Sequence, residues 1–411
     1  MHENAISKTI TYIVFLFSIG IIGLSIISVI FPALIISQTY PFSLDLDPFE
    51  TSPWLSPILI STILLLSFGF LYQKEKLPSL ITNKINFILN FEISKKIAIL
   101  VGISIISIYI GLSIPELFID EVKQWPDYLL LESALEIWPS TDHWSIYIKE
   151  QNTRYVRMLL LDFSQDLLQN IKILPFVASI SVVIFTALIT IQISKKRLAG
   201  IIAMIILLTS VTFTDFDTIA VYENFWVLFY LLSLYVVQKK WFFSPAFYIL
   251  SFFTKAFVAP YFMMTLYYTF RSPISSKKKF GILISYLVIV ILSISIIFLG
   301  DTVYPNVIEI DSSKFFTGIA TLGLLLRYDY FLLLIILPVI VGLTILAKNS
   351  FKQSDSIIML ILGTMIAGPV LVMFTNFYEI LPYRFVPLIV FFAISIGLFF
   401  TKMPKNNNLK N

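Results

Sequence analysis

The feature that most constrains this chain is its series of apolar runs, each close to the thickness of a bilayer. They fall at roughly 10–37, 53–72, 97–114, 173–193, 198–213, 220–238, 241–254, 256–270, 280–299, 329–346, 356–374 and 385–401. A helix needs ~20 mostly apolar residues to cross the ~30 Å hydrocarbon core. The runs are continuous rather than alternating, which excludes a β-barrel. The expectation is an all-α fold: a polytopic transmembrane helical bundle of about twelve helices. Composition agrees, since only 13% of the residues are charged against about a quarter in a soluble domain.

The loops alternate in charge. With both termini on the basic side, that side carries 20 Lys/Arg and 4 Asp/Glu, and the opposite side 9 and 21. The excess of Lys and Arg marks the cytoplasmic face. The chain is therefore expected in the cell membrane as a multi-pass protein, with both termini cytoplasmic. The first run is too long for a signal-peptide core and reads as a retained helix. The net charge of +4 is small and gives no sign of a nucleic-acid partner. Without cysteine, and with only His2 and His143, disulfides, thiolate chemistry and His-rich metal sites are excluded.

One long polar segment, Ile114–Lys172, interrupts the apolar text and falls on the outward side. It divides the chain into an N-terminal two-helix membrane addition (1–95), a transmembrane core (96–401) with the external loop 115–172, and a short cytoplasmic tail (402–411). The loop opens with IPELFIDEVKQWPDY, placing Asp120 and Glu121 where an apolar run ends. Carboxylates so close to hydrocarbon are costly unless solvated or used. Within the loop, YVRMLLLDFSQDLLQNI has helical apolar spacing and reads as a surface-lying helix. Two further stretches need the charge pattern to be parsed. Trp241–Phe270 has basic flanks at both ends, so it goes out and back as two short arms, with Lys255 near the turn. Lys314–Tyr330 reads as an amphipathic segment at the outer interface, with Arg327 and Asp329 at the membrane surface.

The outward face thus gathers acids (Asp120, Glu121, Asp215, Asp217, Glu223, Glu379) and isolated cations (Lys255, Arg327, Arg384). A cation at that depth suits a lipid phosphate, and a carboxylate nearby suits a general base. Each charge also has a plain structural reading. Asp120–Glu121 can be a solvated helix end, Lys255 a snorkelling lysine, and Arg384 the partner of Glu379. Asp215 and Asp217 read as a solvated turn. Trp125, Trp138 and Trp144 read first as interfacial anchors, with sugar stacking as the alternative.

The order of these features resembles the GT-C superfamily of integral-membrane glycosyltransferases, which use polyprenyl-phosphate sugars. It is most similar to the branch of protein O-mannosyltransferases and lipid A aminoarabinose transferases. The resemblance runs over about 95–401. It rests on FIDEVKQWPDY opening the loop, TRYVRMLLLDF closing it, the basic turn ISKKRLAG, TDFDTIAVYENFWV with Glu223, SFFTKAFVAP with Lys255, and LPYRFVPLIVFF with Arg384. The loop motif of the O-mannosyltransferases is replaced by WPSTDHWSIYIKE, where Asp142 and His143 stand without its prolines.

The resemblance implies sugar transfer at the external face to an unknown protein, lipid or glycan acceptor. Asp120 or Glu121 would be the catalytic base, Asp120 being favoured. Lys255 and Arg384 would hold the lipid phosphate, with Glu223, Asp142, His143 and Arg327 as accessory candidates. No cofactor is required. A divalent metal, Mg or Mn, is compatible with the family, which has metal-dependent and metal-independent members. Membrane lipids are the remaining partner. The alternative is a transporter or flippase of a lipid-linked or anionic substrate. Such a protein normally carries its ionisable groups near the bilayer midplane.

Overall fold

The computed structural model describes residues 2–34, 47–138, 154–299, 310–348, 351, 353–373 and 382–401. The described residues are helical, with no strand among them. Six helices are long and apolar enough to cross a membrane: Lys8–Ile30, Leu55–Gln73, Lys95–Phe118, Ile173–Ser194, Tyr330–Lys348 and Ser354–Met373. Several of the expected crossings are shorter. Arg197–Leu208 and Phe225–Val236 have 12 residues each, or ~18 Å at 1.5 Å per residue. The run expected to begin at 220 starts as a helix only at Phe225, because residues 215–224 form an irregular loop.

The chain divides into two compact units, Met1–Ala98 with Thr190–Thr212 and Ile308–Asn411, and Ile99–Ile189 with Phe213–Val307. The first unit includes α1 (His2–Ile30). This helix packs against α15 (Lys314–Leu326), α16 (Tyr330–Lys348) and α17 (Ser354–Met373), while α2 (Leu55–Gln73) packs on α16. Small residues permit the close approach that helix association in lipid requires. A Cβ on Gly318 of α15 would lie 2.5 Å from Cα of Pro369 in α17, and one on Gly323 would meet Ser28 of α1. The Thr11 hydroxyl of α1 donates to the buried Asp355 carboxylate of α17 at 2.9 Å. Asp355 lies in the first turn of its helix, where the helix dipole favours an anion.

The segment expected at the outer interface, 314–330, takes part in this packing. It forms α15, which buries Gly318, Ile319, Leu322, Gly323, Leu325 and Leu326 within the unit rather than turning that face to lipid. Arg327 donates to the carbonyl of Val29 at 3.2 Å, and Asp329 is buried. Between α2 and α4 (Lys95–Ser113) lies α3 (Ser79–Asn90). Its C-terminal carbonyls accept from Lys196, which reaches Leu89, and the neighbouring Ile93 carbonyl accepts from Arg197 at 3.1 Å.

In the second unit, α11 (Phe225–Val236) packs on α12 (Ser244–Thr254), which also meets α7 (Tyr155–Leu168) and α14 (Ser276–Leu299). The core is aromatic. Trp226, Tyr230, Tyr248 and Tyr261 form successive edge-on contacts with centroids 5.1–6.4 Å apart, a geometry favoured by the ring quadrupoles. The Ser251 hydroxyl of α12 donates to the Trp226 carbonyl at 2.6 Å, locking α11 to α12. Lys255 follows α12 in extended backbone, and α13 (Tyr261–Arg271) begins six residues later.

Candidate functional site

The second unit places a loop, residues 215–224, at the centre of a polar cluster. Almost every anchor reaches it from far away in sequence. At the end of α4 the chain tightens into the 3₁₀ turn Ile114–Phe118, and then starts the short α5 (Glu121–Gln124). Asp120 is the N-cap of α5. Its Oδ1 accepts from the Val122 amide at 3.2 Å, the standard use of Asp at this position.

The two members of the acidic pair point to different lives. Glu121 is buried, and its carboxylate accepts from the Ala220 amide at 3.1 Å and the Val221 amide at 2.7 Å. Burial pushes its pKa up, while those two N–H groups, Lys172 and Arg157 pull the other way. Both of its oxygens are thus occupied in holding the loop. Asp120 is exposed, half of its side chain being open, and it pairs only loosely with Lys123 at 3.7 Å. A pair this exposed adds little stability, so its carboxylate can be approached.

Other side chains clamp the same loop. Arg157 of α7 donates to the Val221 carbonyl at 2.8 Å and pairs with Glu223, Nε to Oε2, at 3.5 Å. Glu223 is fully buried, and neither of its oxygens accepts a hydrogen bond among the described residues. Its burial raises its pKa, and Arg157, Lys255 and Arg154 oppose that shift. Thr218 donates to Glu116 at 3.1 Å, and Tyr222 donates to Asp127 at 2.8 Å. The Ser113 hydroxyl donates to Asp217 Oδ2 at 3.0 Å, and Ser179 of α8 (Ile173–Ser194) donates to the Asp217 carbonyl at 2.7 Å. Asn224 closes the loop on itself by donating to Ser179 and to the Phe216 carbonyl. Asp217 is therefore buried rather than part of a solvated turn. Burial pushes its carboxyl up to about 7, with Glu116 and Asp215 reinforcing the shift.

The turn before α5 is held from below by Lys172. Its buried ammonium donates to the carbonyls of Ile119 at 2.7 Å and Glu116 at 3.2 Å, and Asn170 donates to Leu117 at 3.1 Å. Burial draws the Lys172 pKa down, and Glu121, Glu116 and Asp120 draw it back up. Above the loop, the half-exposed Trp125 lies 5.4 Å from the Phe216 ring and 5.0 Å from that of Tyr222. Trp125 is thus packed on the loop. Lys255 places its ammonium 5.8 Å from the Trp226 ring centroid, a cation–π contact at the foot of α11.

Of the residues singled out in the sequence, Asp120, Glu121, Glu223 and Lys255 belong to this unit. Arg384 and Arg327 belong to the other, where the Arg384 guanidinium lies 5.7 Å from the Tyr383 ring. Asp142 and His143, together with Trp144 and Glu379, lie outside the described residues. Arg157 and Lys172 were not singled out, although Arg154 and Arg157 at i, i+3 share a helix face, which is a readable signal. Among the described residues no three His, Asp or Glu side chains gather as a donor set for a metal ion, so no step is derived through one.

No protein-family model, no curated protein and no solved structure matches this chain.

Proposed function

We propose that this protein is a membrane glycosyltransferase that moves a sugar from a polyprenyl-phosphate donor to an acceptor hydroxyl at the outer face of the membrane. The observation that carries the reading is the division of labour at the end of α4. Glu121 is consumed in holding the 215–224 loop, and its neighbour Asp120 is left with an approachable carboxylate. Cations of the same unit, Lys255 and Arg157, are held close to this loop by Trp226 and Glu223.

In the proposed step, Asp120 takes the proton of the acceptor hydroxyl as its oxygen attacks the anomeric carbon. The bond from that carbon to the phosphate oxygen breaks, and its electron pair stays on the lipid phosphate. Lys255 meets the charge that develops there, in surroundings of low dielectric where such contacts count for more than in water. Arg384 remains a candidate for binding lipid phosphate in its own unit.

The test is release of polyprenyl phosphate by the purified protein in proteoliposomes, with a panel of labelled polyprenyl-phosphate sugars. Asn caps a helix as well as Asp, so Asp120→Asn keeps the fold while removing the base. Loss of a positioned base costs typically 10²–10⁴-fold in rate. Undiminished turnover in Asp120→Asn overturns the assignment. Movement of lipid across the bilayer without sugar transfer favours a transporter instead.

A further inference from the structure

The helix α3 has no buried residue, yet it is strongly two-sided. At 100° per residue, Phe87, Leu80, Phe91, Lys84, Ile88 and Ile81 fall in one arc of about 120°. Ser79, Asn83, Asn86, Asn90 and Thr82 fall on the other side. The apolar arc is open, with Leu80 66% and Phe87 67% exposed, and Ile88 and Phe91 near 45%. A soluble protein would bury such a stripe. Here the chain leaves α2 at Gln73 and enters α4 at Lys95, so α3 is tethered on both sides within a few residues of helices apolar enough to cross a membrane. Its C-terminal end is pinned by Lys196 and Arg197, which holds the open arc in a fixed direction.

The charge around α3 is predominantly positive. Lys74, Lys76, Lys84, Lys95 and Lys96 surround it, against Glu75 and Glu92, and all seven are exposed. Lys84 stands within the apolar arc, where a long side chain can lie along the helix and carry its ammonium out to a headgroup. An apolar face beside a cationic fringe, lying parallel to the interface, is the pattern of a helix seated among anionic lipids.

We infer that α3 is an in-plane lipid-binding helix, with its Leu80–Phe87–Phe91 face sunk into the bilayer and its lysines holding anionic phospholipid headgroups. The site is independent of the loop cluster in the other unit and of any activity assigned to it. Each lysine near an anionic leaflet is worth roughly fivefold in lipid affinity, so three together give a marked preference for anionic over zwitterionic lipid.

The chain has no cysteine, so a single introduced thiol can be labelled cleanly. Phe87→Cys and Asn83→Cys, both at exposed positions, would each carry an environment-sensitive fluorophore in nanodiscs. The expected result is strong quenching at 87 by spin-labelled phosphatidylglycerol, weaker quenching by spin-labelled phosphatidylcholine at the same mole fraction, and little of either at 83. Adding Lys74→Gln, Lys76→Gln and Lys84→Gln should erase the difference between the two lipids. Equal quenching by both lipids in the protein with its lysines intact overturns the anionic preference. A label at 87 shielded from both lipid and aqueous quenchers overturns the lipid seat, and identifies the arc as covered by a second copy or another protein.

Discussion

Replacing Asp217 by Asn should change how stability depends on pH. The Asp217 carboxyl is buried beside Ser113, with Tyr109, Glu116 and Asp215 as its charged or titratable neighbours. Its folded pKa is raised from the ordinary 3.8 to about 7. A carboxyl shifted upward favours the fold in its protonated form. That contribution is fully present below about pH 4 and is lost as pH rises through about 7. At ~1.4 kcal/mol per pH unit, the interval corresponds to at most about 4 kcal/mol.

Asparagine keeps an oxygen to accept from Ser113 and leaves the main-chain bond from Ser179 untouched, but it cannot ionise. The measurement is reversible unfolding of both proteins in bicelles between pH 4 and pH 8, followed by tryptophan fluorescence. The wild type should lose stability relative to Asp217→Asn with a slope approaching 1.4 kcal/mol per pH unit between about 4 and 7, and the difference should flatten above that. A difference that does not vary with pH would mean that Asp217 is solvated, and that the clamp on the 215–224 loop is not formed as described.

Glu121→Ala should destabilise strongly, because the Ala220 and Val221 amides lose their acceptor inside the protein. Each orphaned donor costs ~1–3 kcal/mol, and Glu121→Gln, which keeps one acceptor oxygen, should cost about half as much in the same unfolding assay. Gly318→Ala should lower the thermal unfolding midpoint, since its Cβ would meet the Pro369 backbone at an overpacking cost of ~1–3 kcal/mol. Gly323→Ala should be milder, because its worst clash is with the Ser28 hydroxyl, which can rotate away, leaving tight contacts of 3.0 Å to the Ser28 Cβ and 3.1 Å to the Ser25 carbonyl.

What the sequence disclosed follows from the range of each interaction. Membrane-length helices are written in local hydropathy, and runs such as 356–374 and 329–346 return as α17 and α16 almost residue for residue. The short helices were overextended because apolar content does not separate a helix from an irregular loop whose amides are satisfied by distant side chains. Residues 220–224 are such a case, with Glu121 and Arg157 supplying the acceptor and donor that a further turn of α11 would have supplied. The charge pattern puts 314–330 at the interface, because the segment follows an outward loop and precedes a single crossing. The signal for packing was two glycines, which mark a seam only once the facing Pro369 and Ser28 are known. The pair Asp120–Glu121 shows the limit most sharply. Two adjacent carboxylates share composition, spacing and distance from the membrane run, so nothing local distinguishes them. One residue of rotation about α5 then gives Glu121 the amides of a loop a hundred residues away and leaves Asp120 to the solvent. An approachable carboxylate and a strut can therefore be written identically, and they are told apart only by which of them the fold has already used.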